Sequence, residues 1–188
     1  AILQKYGPEA LQQAVANAQV LPVNHVVRLA EVESVDLNDL ERIRTGFSNL
    51  ARVVDGFFMG QLVLLTGKRG EGKSTLMGQL MAEALNQGYK VVAYSGELPG
   101  YQFKRWLDFQ LAGPQNVLTT YNVYSDPRYS LEGETVQRLN RWYYDNAFLY
   151  DNNSLNGDEY ESLLETIEKT IQRYGVKLVC VDNLITAM

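Results

Sequence analysis

The sequence predicts an α/β domain built around a mainly parallel sheet. Two observations support this prediction. From residue 61 onward, apolar runs of strand length alternate with segments whose apolar residues recur at helical spacing. A glycine-rich loop also separates the first apolar run from the first of these helices. Ligands of such domains bind beyond the carboxyl ends of the strands, so functional residues are expected there.

The individual elements follow from the apolar pattern. The predicted strands span residues 61–66, 90–95, 147–150 and 177–182, and the predicted helices span residues 73–86, 101–111, 134–144 and 158–174. The last helix is the most clearly marked, because acidic residues occur at its start and Gly175 follows its end. Before this alternation, residues 8–19 predict an amphipathic helix with Pro8 in its first turn. Residues 21–33 are predicted to be extended, and residues 36–43 to form another short helix.

Composition limits the classes of function. The 188 residues suffice for one domain, or one domain with an appendage, and 46% are hydrophobic. The net charge of −5 argues against a basic nucleic-acid-binding chain, so a nucleic-acid contact requires a local patch, an assembled ring or further sequence. A single cysteine, Cys180, gives no disulfide framework. No apolar run is long enough for a membrane span, and no secretory signal is recognisable. We therefore expect a cytoplasmic protein with no membrane partner.

The glycine-rich loop follows the phosphate-binding pattern G-x-x-x-x-G-K-[ST]. The predicted nucleotide-binding residues are Gly67, Lys68, Arg69, Gly70, Glu71, Gly72, Lys73, Ser74 and Thr75. Glycines allow successive N–H groups to surround phosphate oxygens, and the following helix adds the positive end of its dipole. Lys73 is expected to contact the β- and γ-phosphates, and the Ser74 hydroxyl to bind Mg²⁺. The alternative is a strand-to-helix turn without a ligand. The flanking strand and helix favour ATP or another nucleoside triphosphate with Mg²⁺.

Two acids follow apolar strands. Asp182 ends the strand over residues 177–182, where a P-loop protein places a carboxylate that serves Mg²⁺, although such an acid can also cap a loop. Glu97 follows the strand over residues 90–95 and could act as the general base that activates water. It could equally be a surface acid near the start of a helix. The residues alone leave both interpretations of Glu97 open.

Aromatic residues and the single histidine suggest no second site. Tyr121, Tyr124 and Tyr129 lie in a polar region predicted to be a loop, where they could be exposed and stack on bases. Few basic residues stand among them, which argues against that role. Trp142 lies on a predicted helix and is more typical of a core or an interface. His25 is alone and predicts no metal site.

Several motifs together resemble the helicase domain of the DnaB and Twinkle families. These are Thr-Gly-Phe-Ser-Asn-Leu at 45–50 and Val-Asp-Gly-Phe-Phe-Met-Gly-Gln-Leu at 54–62, followed by the P-loop. Tyr-Ser-Gly-Glu-Leu-Pro at 94–99 is similar to the second-strand motif of those families, and Val-Asp-Asn-Leu at 181–184 to their Walker B strand. Lys-Tyr-Gly-Pro-Glu-Ala-Leu at 5–11 is similar to the link after a primase-type domain. The resemblance covers nearly the whole chain.

This resemblance implies a RecA-like fold and a motor function. Members assemble into homo-oligomeric rings, usually hexamers, hydrolyse nucleoside triphosphate at subunit interfaces and unwind DNA while moving along single-stranded DNA. By position, Lys73 would bind phosphate and assist catalysis, Ser74 and Asp182 would serve Mg²⁺, and Glu97 would be the catalytic base. Residues 1–40 would be a helical link that follows a primase-type region of the same protein. Residues 41–188 would be the N-terminal part of the helicase ATPase domain.

The sequence also departs from the pattern of these helicases. Ala51 stands where they usually have an acid, and Asp55 replaces the first of two glycines. The chain ends at Met188, whereas the phosphate sensor, the DNA-binding loops, the arginine finger and one sheet strand follow the Walker B strand in those families. We therefore expect a fragment, incomplete at its C-terminus, that binds nucleotide but hydrolyses it weakly. The alternatives are a RecA-fold recombination or clock-type ATPase and a nucleotide-binding assembly module. A small-molecule kinase is disfavoured because no substrate lid is recognisable.

Overall fold

The computed structural model describes residues 2–18, 25–152 and 161–183, with the side chains of the first helix described from Lys5 onward. The chain divides into two compact units, Ala1–Asp39 and Leu40–Met188. No helix of the described residues is both long and apolar enough to cross a membrane. The assignment of residues 1–40 to a link after a primase-type region stays a prediction.

The first unit contains the helix α1, Ile2–Ala16, which is interrupted at Gly7 (φ 80°, ψ 175°). Pro8 follows this break, so it occupies the start of the second helical part, where a missing N–H is tolerated. The predicted helix over residues 8–19 is therefore preceded by an additional turn, and residue 19 lies outside the described residues. Residues 21–24 are also outside them, and the remainder of the predicted extended stretch includes a 3₁₀ turn at Leu29–Glu31.

The short helix predicted over residues 36–43 is wrong. Only Leu37–Asp39 is helical, as a single 3₁₀ turn, and the strand β1 follows at Arg42–Ile43. The Asp36 carboxylate accepts a hydrogen bond from the Asn38 backbone N–H at 2.9 Å. Aspartate side chains that bond the backbone two residues on favour a turn over a continuing helix.

The second unit alternates strands and helices as predicted. Its elements are β1 (Arg42–Ile43), α2 (Ser48–Val54), β2 (Phe57–Phe58), α3 (Lys73–Asn86), β3 (Val91–Ser95), α4 (Gly100–Ala112), β4 (Val117–Tyr121), β5 (Pro127–Leu131), α5 (Gly133–Tyr143), β6 (Ala147–Leu149), α6 (Leu163–Tyr174) and β7 (Leu178–Asp182). The predicted helix over residues 158–174 begins at Leu163, where Ser162 and Glu165 form a capping box. Residues 158–160 lie outside the described residues.

The central sheet is parallel, in the order β6-β3-β7, which confirms the predicted α/β class. Ala93 in β3 stands opposite Leu149 of β6 and Cys180 of β7, and every residue of β3 is buried. Helix α3 packs against both β3 and β7. The core between these layers includes Met81, Ala84, Leu85, Val91, Ala93, Phe103, Leu107 and Cys180. A parallel sheet with helices packed on it is the α/β architecture that the alternation of strands and helices predicted.

One predicted strand does not form. Residues 61–66, directly before the P-loop, have no strand hydrogen bonding to any described strand. Their apolar side chains are exposed, with Leu62 98% and Leu64 69% accessible. An extended segment becomes a strand only when a neighbour satisfies its N–H and C=O groups, and the described strands provide no such neighbour.

A second difference concerns residues 117–131, which form an antiparallel hairpin of β4 and β5 rather than a loop. Its turn is fixed by the Asn122 side-chain oxygen, which accepts from the backbone N–H groups of Tyr124 and Asp126 at 2.9 Å each. Tyr121, Tyr124 and Tyr129 are exposed in this hairpin, as their polar surroundings suggested.

Candidate nucleotide-binding site

The P-loop leads directly into helix α3, which begins at Lys73. Gly72 caps the helix in the left-handed region (φ 83°, ψ 19°), and Gly70 has φ 84°, conformations that glycine adopts without strain. The first helical bond runs from the Leu76 N–H to the Gly72 carbonyl at 2.8 Å. The first N–H groups of a helix have no intrahelical acceptor and carry the positive end of the dipole. The loop therefore ends in a structure suited to an anion.

The side chains of the loop bond to its own backbone. Lys73 Nζ donates to the Gly67 carbonyl at 2.9 Å and to the Lys68 carbonyl at 2.7 Å. The Glu71 carboxylate accepts from the Lys68 N–H at 2.8 Å. The loop amide of Lys68 thus donates to an anionic oxygen, that of the Glu71 carboxylate. Phosphate oxygens are acceptors of the same kind. A Cβ at Gly67 would lie 2.7 Å from this oxygen of Glu71, so glycine permits the close approach.

The chain direction of α3 relative to β3 indicates on which side of the sheet the helix begins. The helix ends at Asn86 and β3 begins at Val91, so the two elements run in opposite directions. The 14 residues of α3 extend about 21 Å, enough to pass the length of the five-residue strand. Helix α3 also packs against β7. From this direction we expect its N-terminus on the side where β3 and β7 end, although no hydrogen bond or ion pair of the described residues joins the P-loop to Glu97 or Asp182.

The carboxyl ends of β3 and β7 bring the two predicted acids together. Ser95 pairs with Asp182 in the parallel register, and the Gly96 N–H donates to the Asp182 carbonyl at 2.7 Å. Glu97 follows two residues beyond Ser95 and is exposed, whereas Asp182 is half-buried. The Asn183 side-chain amide donates to Glu97 Oε1 at 2.7 Å. The structure thus joins Glu97 and Asp182 at one edge of the sheet, as strand alternation predicted.

Three polar residues of this edge escaped the sequence-based prediction. Besides Asn183, the Ser95 hydroxyl accepts from the Leu98 N–H at 3.0 Å, and the Asn152 side-chain amide donates to the Ser95 carbonyl at 2.8 Å. These bonds fix the turn that carries Glu97. Ser95 and Asn183 lie within the motifs at 94–99 and 181–184, but those motifs did not predict their contacts, and Asn152 lies in no motif.

The residues present suit a magnesium ion bound with nucleotide. Among the described residues, no three His, Cys, Asp or Glu side chains cluster as a complete metal site. Magnesium bound with a nucleotide needs fewer, because one or two protein oxygens are completed by phosphate oxygens and water. The Ser74 hydroxyl and the Asp182 carboxylate are oxygen donors of this type. The roles of Lys73, Ser74, Glu97 and Asp182 stay predictions.

Cys180 lies in the core beneath this edge. Burial and the nearby negative charge of Asp182 raise the pKa of its thiol to about 12. A thiol with so high a pKa forms little thiolate at neutral pH and is a poor nucleophile. The interpretation of Cys180 as a small core residue is confirmed.

A glycine-rich P-loop sequence at the start of a helix that packs on a parallel sheet, with acids at or just after the ends of two strands, is typical of P-loop ATPase domains. The chain belongs to the AAA domain family, whose model matches residues 28–188. This membership confirms the RecA-like ATPase that the motifs predicted and does not single out a helicase.

Two curated proteins similar to the chain are both called DNA repair protein RadA. The protein of Brucella abortus is 43% identical over 65 residues, which are 34% of this chain and 14% of that protein. The protein of Campylobacter jejuni is 36% identical over 87 residues, 46% of this chain and 20% of that protein. The chain therefore matches only a small part of these relatives. No solved structure matches it significantly.

Proposed function

We propose that this domain binds and hydrolyses a nucleoside triphosphate with Mg²⁺, as the ATPase core of a ring-forming motor on single-stranded DNA. One observation carries the proposal: the pairing of Ser95 with Asp182 sets two acids at the sheet edge where we expect the P-loop helix to begin. A phosphate cradle and two carboxylates are the parts that phosphoryl transfer to water requires.

Each residue has a distinct task in this proposal. The loop amides and Lys73 hold the phosphates, and Ser74 and Asp182 hold Mg²⁺, which neutralises phosphate charge when bound. Glu97 accepts a proton from the attacking water as a general base. Its exposed carboxylate is accessible to solvent at the end of β3, which suits that task.

The motor part of the proposal rests on the motifs at 45–50, 54–62 and 94–99, which resemble those of DnaB- and Twinkle-type helicases. It includes a hexameric ring, movement on single-stranded DNA and a primase domain in the same protein. The second candidate is a RecA-like ATPase in DNA repair or recombination without replicative unwinding. The two RadA proteins, both described as DNA repair proteins, favour this candidate.

The ATPase is tested by hydrolysis in the full-length protein with and without single-stranded DNA. Lys73→Ala is expected to lower DNA-stimulated hydrolysis by at least about 100-fold, because charge stabilisation of the phosphates is lost. Lys177→Ala is the matched control, since Lys177 directly precedes β7, at the edge opposite Asp182, and should leave the rate unchanged. Equal hydrolysis by Lys73→Ala and wild-type protein would contradict the proposed ATPase.

Unwinding of a duplex with a 5′ single-stranded tail separates the two candidates. The helicase predicts ATP-dependent unwinding by a ring, whereas the repair ATPase predicts DNA-stimulated hydrolysis without it. Full hydrolysis without DNA and without ring formation would exclude the helicase. For the 188-residue chain itself, titration with a fluorescent nucleotide and a phosphate-release assay measure nucleotide binding and hydrolysis.

A further inference from the structure

The Glu97 carboxylate accepts a hydrogen bond from a side chain that follows another strand. Asn183 lies 86 positions further along the sequence, yet its amide donates to Glu97 Oε1 at 2.7 Å. The bond joins a residue just after β3 to a residue just after β7. It therefore spans the same edge of the sheet on which the proposed function depends.

Backbone pairing fixes where both partners stand. Ser95 and Asp182 are register partners, and the Gly96 N–H bonds the Asp182 carbonyl at 2.7 Å. Asn183 is the next residue after Asp182, and Glu97 is the next after Gly96. Since the pairing continues to the last residues before them, neither backbone can shift without breaking it. The contact between the two side chains is thus set by the strand register.

The chemistry of the contact suits a base that must be oriented. An exposed glutamate samples several rotamers, and ordering such a side chain costs conformational entropy. The Asn183 amide selects one orientation and carries no charge, so it does not neutralise the carboxylate. It bonds one oxygen, Oε1, and the second oxygen is left available to accept from water.

We infer that Asn183 is a positioning residue that orients Glu97 for proton abstraction. This inference rests on the proposed ATPase and on Glu97 as its base. Asn183 acts through Glu97 and not on the nucleotide, so its removal should lower the turnover number and leave nucleotide affinity unchanged. Misplacement of a catalytic group by a fraction of an ångström to 1 Å can cost up to about 100-fold.

The test is DNA-stimulated hydrolysis by full-length variants. Asn183→Ala should lower kcat about 10- to 100-fold, with KM for nucleotide within about twofold of wild type. Asn183→Asp should be at least as low, because it places a negative charge beside Glu97. Asn183→Gln keeps an amide donor and should recover part of the rate. Unchanged nucleotide affinity and thermal unfolding show that each variant is folded.

A double-mutant cycle distinguishes positioning from a structural role. In the Glu97→Gln background, Asn183→Ala should cause no further loss, because the group through which it acts is already disabled. An equal loss in both backgrounds, or a kcat for Asn183→Ala at or above that of wild type, would overturn the inference. If Glu97→Gln loses hydrolysis but Asn183→Ala hydrolyses nucleotide at the wild-type rate, only the inference about Asn183 is refuted. Normal hydrolysis by Glu97→Gln, together with loss in Lys73→Ala, refutes Glu97 as the base and the inference with it.

Discussion

Two segments of the second unit are both largely apolar, but one is buried and the other is exposed. Strand β3 is buried at every position and hydrogen bonded to β6 on one side and β7 on the other. Residues 62–65, Leu-Val-Leu-Leu, are exposed, and no described strand pairs with them. Both segments have the composition of a buried parallel strand. The difference shows that composition gives a segment the capacity to be a strand, while a partner on each side makes it one.

The same difference separates the two halves of the candidate site. Glu97 and Asp182 are fixed by the pairing of β3 with β7, because Asp182 is the last residue of β7 and Glu97 lies two residues after the end of β3. Lys73 and Ser74 follow the unpaired segment, and α3 rather than a strand positions them. The packing of α3 on the sheet therefore sets how the phosphate-binding residues stand relative to the acids.

The stability difference between β3 and the unpaired segment should be largest when a charged residue is introduced into each. Ala93→Asp places a carboxylate in the central strand, where Ala93 is 1% exposed, and should cost more than about 4 kcal/mol of unfolding free energy. Leu64→Asp in the unpaired segment should change stability by less than about 0.5 kcal/mol. Urea denaturation of the 188-residue chain, followed by circular dichroism, measures both. A comparable loss at Leu64 would mean that the segment is buried and paired in solution.

A smaller difference in unfolding free energy is expected between helix α3 and the unpaired segment that precedes the P-loop. Met81 of α3 is 1% exposed and packs into the core, so Met81→Ala should cost about 2–5 kcal/mol through lost burial and a cavity. Leu62→Ala, at a residue 98% exposed, should cost less than about 0.5 kcal/mol. Chemical denaturation of both variants checks the pair. Equal losses of unfolding free energy in the two variants would contradict the difference in burial between α3 and the segment that precedes the P-loop.

The sequence predicted the elements that depend on local interactions better than those that depend on distant partners. Helix α3 has the predicted bounds, because its apolar periodicity, the P-loop before it and Gly88 after it all act locally. The strand over residues 61–66 failed because strand formation depends on distant partners that a local pattern does not contain. The hairpin of β4 and β5 was missed because it has little apolar alternation, and its turn depends on the Asn122 side chain.

The candidate site was predictable where residue type alone specifies the chemistry. Lys73 and Ser74 belong to a motif with fixed spacing, and Asp182 and Glu97 follow apolar strands whose ends adjoin in a parallel sheet. The contact of Asn183 with Glu97 was not predictable, because it requires the register of two strands separated by more than 80 residues. Register depends on the packing of the whole sheet and not on either segment alone.

A third comparison of unfolding free energies concerns a buried hydrogen bond between helices α4 and α5. Asp108 of α4 is buried at 5% exposure, and its carboxylate accepts from Lys104 Nζ at 2.5 Å and from the Tyr143 hydroxyl at 2.8 Å. Tyr143→Phe removes one donor from a buried carboxylate and should cost about 1–2 kcal/mol. Tyr144→Phe is the matched control, since Tyr144 is 78% exposed and should cost less than about 0.5 kcal/mol. Thermal or urea unfolding of both variants at neutral pH measures the difference.

The stabilisation contributed by Lys104, Asp108 and Tyr143 should decrease at high pH. Burial raises the pKa of the Tyr143 hydroxyl above its ordinary value. For Lys104, burial lowers the pKa, but hydrogen bonds to Asp108 and Tyr143 outweigh it, so the pKa of Lys104 is also raised. Both protonated forms are thus favoured in the folded state, so their stabilisation is complete below about pH 10 and decreases as the pH rises through the folded pKa values. The gap in unfolding free energy between wild type and Tyr143→Phe should therefore narrow from pH 7 to about pH 11. A gap that widens over this range would contradict a network held by a neutral tyrosine and a charged lysine.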